Sequence, residues 1–294
     1  MKEFKAEHNN WRPKQNHKRG QICAFPTMTD KISCSNRNKQ RYEYNIMIQK
    51  SFFLVMIAII IGISAQGLYA QYGSKLPQTD TPIVVELYTS QGCSSCPPAD
   101  RTLANLSESN NIITLGCHIS YFNHLRWKDT LSQDFCDMRQ HGYAGMQGTK
   151  RIYTPQMIIN GGGAFIGSHN EKVTAALKNA AEKPIQNIKI NITNNDTIQL
   201  SLPTIEDGDY HLWAFGYKKH HKQDIKNGEN NGKSILYANA ALSYTNLGKW
   251  QGAGKTHTFP MPQSTIEGET LDGIIIFAQK GGYGEIIAAG KLGF

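Results

Sequence analysis

The sequence predicts an α/β protein in which strand–helix alternation is followed by a smaller antiparallel, sandwich-like β region. Three observations carry this. Apolar strand-like runs alternate with amphipathic helix-like runs from Thr81 to Lys183. A Cys-x-x-Cys pair, Cys93-Ser94-Ser95-Cys96, falls between the first strand-like run and the first helix-like run. Beyond Pro184 the pattern changes to period-two alternation broken by turn residues.

Taken in order, residues 71–80 read as a short polar linker. Ile83–Tyr88 is apolar apart from Glu86 and reads as a buried strand, and Cys93–Leu106 as the helix that follows it. Ile112–Ile119 is a second strand-like run and Leu131–Ala144 a second helix. Ile152–Asn160 reads as a strand interrupted by Pro155, with a short strand at Ala164–Ser168 beyond Gly161-Gly162-Gly163. His169–Lys183 reads as a helix with Glu171, Lys172, Lys178 and Lys183 on its polar side, ended by Pro184. This β-α-β-α-β-β-α order is the thioredoxin arrangement: parallel strands joined by crossover helices, then a hairpin. A domain over 81–184 is long enough for one core. The rest, 185–294, reads as an antiparallel β domain. Ile188–Ile192 and Thr197–Leu202 alternate, Tyr210–Tyr217 and Ile274–Ala278 are further strand candidates, and Asn194-Asn195-Asp196 and Asp207-Gly208-Asp209 mark turns.

Residues 1–70 read as a leader. The first 50 are polar and basic with no sustained apolar period. Phe52 to Ala65 then runs 14 residues without a charge. A spanning helix needs about 20 apolar residues, whereas roughly 7–15 suit the core of a signal peptide. Small residues follow, giving cleavage sites after Gly67 or Ala70, and Met47 is an alternative start. The chain is therefore expected in the periplasm or outside the cell, meeting the membrane only through this segment. The competing reading is a cytosolic tail on a signal anchor.

Charge points the same way. The leader holds 11 of the 31 Lys and Arg and 4 of the 23 Asp and Glu, so the remainder is nearly neutral. The basic balance thus gives no reason to expect a nucleic-acid partner. Cys93, Cys96, Cys117 and Cys136 follow the leader, an even count that permits two disulfides in three connectivities. The Cys117–Cys136 spacing is too long for a zinc-ribbon half-site.

A strand feeding a turn that opens a helix aims N–H groups and the positive helix end at the first cysteine. In such settings its pKa falls from about 8.5 to between roughly 3.5 and 7. The expected chemistry is thiol–disulfide exchange, with Cys93 as the attacking, partly exposed sulfur and Cys96 as the buried resolving one. No separate cofactor is needed. The partners expected are a protein thiol or disulfide and a redox partner that resets the pair. Two rivals share the residues: a copper(I)-handling protein using Cys93 and Cys96 as soft ligands, and a non-enzymatic envelope interaction module.

Glu86 to Asp100, with Trp127-Lys128-Asp129 and Tyr153-Thr154-Pro155-Gln156, resembles the secreted thioredoxin-like family described as domain of unknown function 1223 (DUF1223). Gly228-Glu229-Asn230-Asn231-Gly232-Lys233 and Leu247-Gly248-Lys249-Trp250 resemble its C-terminal half. The resemblance covers about residues 81–294 and implies an exported thioredoxin-like domain with a β-rich extension. It also implies a cis Thr154–Pro155 bond facing the cysteines, with the Thr154 backbone free to pair with an extended substrate. Glu86 is expected either as a buried acid that relays a proton to Cys96 or as a surface-facing residue of its strand. After the second strand such proteins read His-Val-Asp-Tyr-Trp-Asp, whereas this chain reads His118-Ile119-Ser120-Tyr121-Phe122-Asn123, so both acidic positions are neutral.

His118, at a strand end, reads as a hydrogen-bonded structural residue rather than a modulator of the thiolate. Cys117 reads as buried, with a Cys117–Cys136 bridge open to it. Tyr121, Trp127 and Tyr153 suit either a groove wall or the core. His220 and His221, inside Lys218-Lys219-His220-His221-Lys222, read as a solvated loop, because three lysines repel a cation.

Overall fold

Strand β1 (Ile83–Thr89) lies at the centre of the first half, and all seven of its residues are buried. Burial on both faces explains its apolar run, interrupted only by Glu86 before Thr89 ends the strand. In this computed structural model the described residues are 79–294, apart from 195, 196, 264 and 267, together with 47 and 49. The leader over 1–70, its cleavage sites and most of the 71–80 linker lie outside them. No helix among the described residues is long and apolar enough to cross a membrane.

β1 pairs parallel with β2 (Ile112–His118) and antiparallel with β3 (Gln156–Ile159), which pairs with the short β4 (Phe165–Ile166). Helix α1 (Pro97–Ser107) and helix α3 (Asn170–Ala181) cover one face. Ala99, Leu103 and Leu106 of α1 and Val173 and Leu177 of α3 meet Val85, Leu87 and Met157 there. Helix α2 (Asp134–Met146) covers the other face, where Cys136 and Tyr143 meet Val84, Tyr88 and Ile158. A disulfide ties Cys117 of β2 to Cys136 of α2, closing a separation of 19 residues. A loop of that size is worth about 3 kcal/mol.

The sheet does not stop where the composition shifts at Pro184. Nine strands run in the order β4-β3-β1-β2-β9-β8-β13-β14-β5. Of these, β5 (Gln186–Asn187), β8 (Tyr210–Asp224), β9 (Ser234–Trp250), β13 (Gly273–Lys280) and β14 (Ile286–Gly293) come from the second half. Residues 72–294 form one compact unit. The junction is a parallel contact, Gly116 of β2 opposite Ala240 of β9. A Cβ on Gly116 would come within 3.2 Å of the Ala238 carbonyl, so glycine permits the close approach. Asn239 fixes the same seam by donating to Thr114 Oγ1 at 2.7 Å.

The remaining strands form a second layer. β6 (Lys189–Asn194), β7 (Thr197–Leu202) and β10 (Lys255–Pro260) make a three-stranded sheet. Ile198, Leu200 and Leu202 of β7 pack against Leu212, Ala214, Ile274 and Ile276 of the large sheet. A two-stranded pair, β11 (Thr265–Ile266) with β12 (Glu269–Thr270), completes the described elements.

Two expectations are corrected here. The Lys218–Lys222 segment is the far end of β8, not a loop, with His220 opposite Ala238 and His221 opposite Tyr237. Glu269 and Asp272 each lie 3.8 Å from Lys218 Nζ, and Lys219 and Lys222 are exposed. The first helix begins at Pro97, with Cys96 as its N-cap, rather than at Cys93.

Candidate functional site

The site is a turn between β1 and α1. Cys93 donates its N–H to the Ser90 carbonyl at 3.1 Å, and Cys96 donates to the Cys93 carbonyl at 3.2 Å. Cys93 and Cys96 are joined by a disulfide. Within the motif Ser94 and Ser95 are exposed, while Cys96 is fully buried and Cys93 is only 3% exposed. Cys93 is thus less open than the sequence suggested. Phe122 approaches Gly92 closely, at 3.5 Å from the position a Cβ would take.

The donors around Cys93 also differ from expectation. Pro97 and Pro98 occupy the first two helical positions and carry no N–H. The next two N–H groups, of Ala99 and Asp100, both go to the Cys96 carbonyl, at 2.8 and 3.1 Å. The helix start therefore contributes its dipole rather than free donors. The hydroxyl of Ser95, 3.4 Å from Cys93 Sγ, is the donor at hand for a thiolate there. Sequence reading passed over this serine.

Glu86 is not turned toward the cysteines. It faces α2, where Arg139 donates from Nε to Oε1 at 2.5 Å and from Nη2 to Oε2 at 3.0 Å. The Tyr143 hydroxyl donates to the same carboxylate. Arg139 also bonds Gln279 of β13 at 3.1 Å and lies over the rings of Tyr143, Phe215 and Phe277. Glu86 is thereby engaged in a buried charge pair that ties the first half to the second.

The acid nearest the pair along the chain is Asp100, one helical turn after Cys96. It is buried, accepts from Thr89 Oγ1 at 2.7 Å, and leaves Oδ2 with no hydrogen-bond partner. Burial pushes its pKa up to about 7, against the opposing pull of His118. His118 Nδ1 lies 2.8 Å from Asp129 Oδ2. Burial pulls the His118 pKa down, but Asp129 and Asp100 outweigh it and raise it above the ordinary value. Tyr237 stands edge-on to the His118 ring at 4.7 Å, and its buried hydroxyl has no partner. His118 is hydrogen-bonded, as the sequence suggested, inside a buried cluster of Asp100, Asp129 and Tyr237.

Asp129 organises the turn. Its Oδ2 accepts the Gln91 N–H at 2.8 Å and its Oδ1 the Leu131 N–H at 2.8 Å. Trp127 Nε1 donates to Gln91 Oε1 at 2.9 Å. The Trp127-Lys128-Asp129 block thus supports the cysteine turn. The two neutral positions are also occupied. Ser120 donates its N–H and hydroxyl to Asp137, and Asn123 accepts from the Asp129 N–H at 2.9 Å and donates to Ser132 Oγ at 2.9 Å.

The Thr154–Pro155 bond is cis. Tyr88 pairs with Gln156, so Pro155 lies one register step beyond, at the sheet end that carries the cysteine turn. Thr154 Oγ1 is buried with no hydrogen-bond partner. Tyr153 accepts from Gln140 Nε2 through its carbonyl at 2.8 Å, and Tyr121 donates to Gln140 Oε1 at 3.1 Å.

The second half reaches the site through the loop 225–233, between β8 and β9. Asn230 is fully buried and donates its amide to the Gln91 carbonyl at 2.9 Å and the Cys93 carbonyl at 2.8 Å. Lys233 Nζ donates to Asn230 Oδ1 at 2.8 Å, and Ser94 donates its N–H to Glu229 at 3.2 Å. Gly228 turns the loop at φ +73°, where a side chain would be strained and would meet Trp127 and the Leu125 carbonyl. Among the described residues no group of three or more His, Cys, Asp or Glu side chains is placed to hold a metal ion.

These features define a mixed α/β protein with a disulfide-bonded Cys-x-x-Cys turn at a strand–helix junction, closed by a loop from its second half. The chain belongs to the family described as protein of unknown function (DUF1223), whose model matches residues 84–279. That span contains both cysteine pairs and the 225–233 loop. The fold is similar to protein AGR_C_4864 from Agrobacterium tumefaciens, with a TM-score of 0.62 and 24% identity over 74% of this chain and 96% of that one. It is also similar to HBP35 of Porphyromonas gingivalis, with a TM-score of 0.51 and 15% identity over 74% of this chain and 76% of that one. A comparison with curated proteins gives no match.

Proposed function

We propose that the protein is an exported thiol–disulfide oxidoreductase with a thioredoxin-like first half, acting on protein thiols through Cys93 and Cys96. The observation that carries this is the Cys93–Cys96 disulfide bridging the turn to the N-cap of α1. The thioredoxin-like reading is supported by β1 lying between parallel β2 and antiparallel β3, with helices on both faces. Two intramolecular disulfides support an oxidising compartment.

In the reducing direction the Cys93 thiolate attacks a substrate disulfide. A Cys93–substrate bond forms, and one substrate thiolate leaves. Cys96 then loses its proton, attacks Cys93 Sγ and expels the second substrate thiolate, which takes up a proton. The substrate gains two electrons and the pair loses two. A dithiol redox partner resets the pair, and the same steps reversed oxidise a substrate. Asp100 is the group we assign to hold the Cys96 proton, in place of Glu86. Thr154 and Pro155 are the residues we assign to receive the substrate backbone.

The direct test is insulin reduction by the native chain, run beside a copper(I) titration. Turnover requiring both cysteines is expected. Tight copper binding without turnover would overturn the reading in favour of metal handling. Mass spectrometry of the same preparation should find an N-terminus between Leu68 and Gln71, and intact Met1 would overturn export.

Asp100 gives a stability signature of its own. Its folded pKa, about 7, lies above the ordinary carboxylate value of 3.8. The folded state therefore binds more protons than the unfolded state between these values, and stability falls as pH rises through that window. Asp100→Asn is expected to flatten the fall and to add on the order of 2–4 kcal/mol at pH 8 but little at pH 4. Urea unfolding of the oxidised protein at both values measures it. An equal change at the two pH values would remove the buried-acid assignment.

A further inference from the structure

We infer that Asn230 is a positioning residue for the cysteine pair, so that the second half of the chain completes the redox site. The inference rests on the oxidoreductase reading above. Asn230 lies 137 residues from Cys93 in sequence, yet its amide nitrogen bonds the carbonyls of Gln91 and Cys93. Those carbonyls flank the tight turn that presents Cys93; the Cys93 carbonyl also accepts the Cys96 N–H at 3.2 Å, whereas the Gln91 carbonyl would otherwise need water or another donor in a buried setting. The remaining Asn230 atom accepts from Lys233, which fixes which end of the amide faces the turn.

The loop that carries Asn230 is braced independently of the cysteines. Ile225 donates to the Lys233 carbonyl at 2.9 Å and Gly232 to the Ile225 carbonyl at 2.8 Å, closing the loop across its base. Lys233 donates its N–H to the Asn230 carbonyl at 3.0 Å. The amide is therefore presented from a prebuilt support, anchored on the long β8–β9 ladder.

Its consequence falls on the open form of the pair. In the disulfide, the covalent ring itself holds the turn. Once Cys93 is bonded to a substrate, the turn loses that restraint, and Asn230 joins the two backbone bonds of the turn, from Cys93 to Ser90 and from Cys96 to Cys93, in keeping Cys93 in reach of Cys96. Restricting the freedom of the open form raises the effective concentration of the resolving thiolate. Asn230 thus acts through Cys93 and touches no reacting atom.

The test uses the full chain charged at Cys93 with glutathione. Cys96 thiolate attacks Cys93 Sγ, the Cys93–Cys96 bond forms, and glutathione thiolate leaves with the proton that Cys96 gave up. Glutathione release is timed by mass spectrometry. Asn230→Asp keeps the shape but replaces the donor nitrogen with an acceptor, and Asn230→Ala removes the amide. Both are expected to slow release at least about tenfold, since the two buried hydrogen bonds from the amide to the turn are lost. Lys233→Ala, at an exposed position, is expected to slow it about threefold without unfolding the chain. Melting temperatures recorded alongside separate positioning from loss of fold.

Release at the wild-type rate in the Asn230 variants and in Lys233→Ala would overturn the inference while leaving the oxidoreductase reading intact. Faster charging at Cys93 with unchanged release would make the loop a shield and likewise overturn it. Wild-type release no faster than that of Cys96→Ser would overturn both.

Discussion

Cys96→Ser is expected to arrest the protein as mixed disulfides through Cys93, and Cys93→Ser to abolish exchange and trap nothing. Cys96 is fully buried at the N-cap of α1, whereas Cys93 adjoins the exposed Ser94 and Ser95 and has the Ser95 hydroxyl at 3.4 Å. A substrate therefore meets Cys93 first, and the thiolate forms where a hydroxyl can donate to it. With Pro97 and Pro98 supplying no N–H, activation rests on that hydroxyl and on the helix dipole. The Cys93 thiolate should still form well below pH ~8.5, the region of an unperturbed cysteine. Iodoacetamide labelling of reduced protein against pH, read by peptide mass, checks this. Preferential alkylation of Cys96, or no reaction at either cysteine below about pH 8, would leave the pair structural or metal-bound.

The largest stability effect is expected at Glu86. Glu86→Ala should cost about 3–5 kcal/mol, because it strands the Arg139 guanidinium in the core without its carboxylate. Arg139 already has one buried nitrogen, Nη1, with no partner, so little else compensates. The Tyr143 hydroxyl, which also accepts from Gln279, loses the same anchor. Replacing both members of the pair, Glu86→Leu with Arg139→Met, should cost less than either single change, since no charge is left buried. Denaturant unfolding of the three variants decides it. A Glu86→Ala cost near 1 kcal/mol, or a double variant worse than both singles, would remove the buried pair as a structural tie.

Much of this fold is legible in the chain. β1 is readable because a strand buried on both faces is apolar at every position but Glu86 and the terminal Thr89, and β7 because its alternation is clean. β9 is not, since its buried centre runs Tyr237-Ala238-Asn239-Ala240-Ala241-Leu242. Small residues there serve the seam with β2 and leave no periodic signal. Without β9, the composition shift at Pro184 reads as a boundary between domains.

The site divides in the same way. The cysteine pair and Thr154–Pro155 are local motifs, and the chain displays them. Glu86 was misplaced by its nearness in sequence to Cys93. Strand parity could have found the error, because Glu86 shares a face with Val84 and Tyr88, while α1 packs on the face of Val85 and Leu87. Helical spacing likewise puts Asp100 one turn past Cys96. Asn230 had no such signal. Its role depends on a fold that brings the 225–233 loop to a turn far upstream, and nothing in Gly228-Glu229-Asn230 alone names the carbonyls it meets.

The continuous nine-stranded sheet has a consequence for the order of events during synthesis. A chain emerges N-terminus first, so the cysteine pair appears well ahead of β8, β9 and the loop between them. During that interval β2 has an open edge, since β9 is its neighbour on that side. The Cys93 turn likewise waits for its clamp. If the chain is exported as proposed, the newborn thiols meet the oxidants of their surroundings before the clamp from the second half has formed. On the proposed reading, their first oxidation would belong to the nascent polypeptide, and their reversible chemistry would begin only when the last strands arrive.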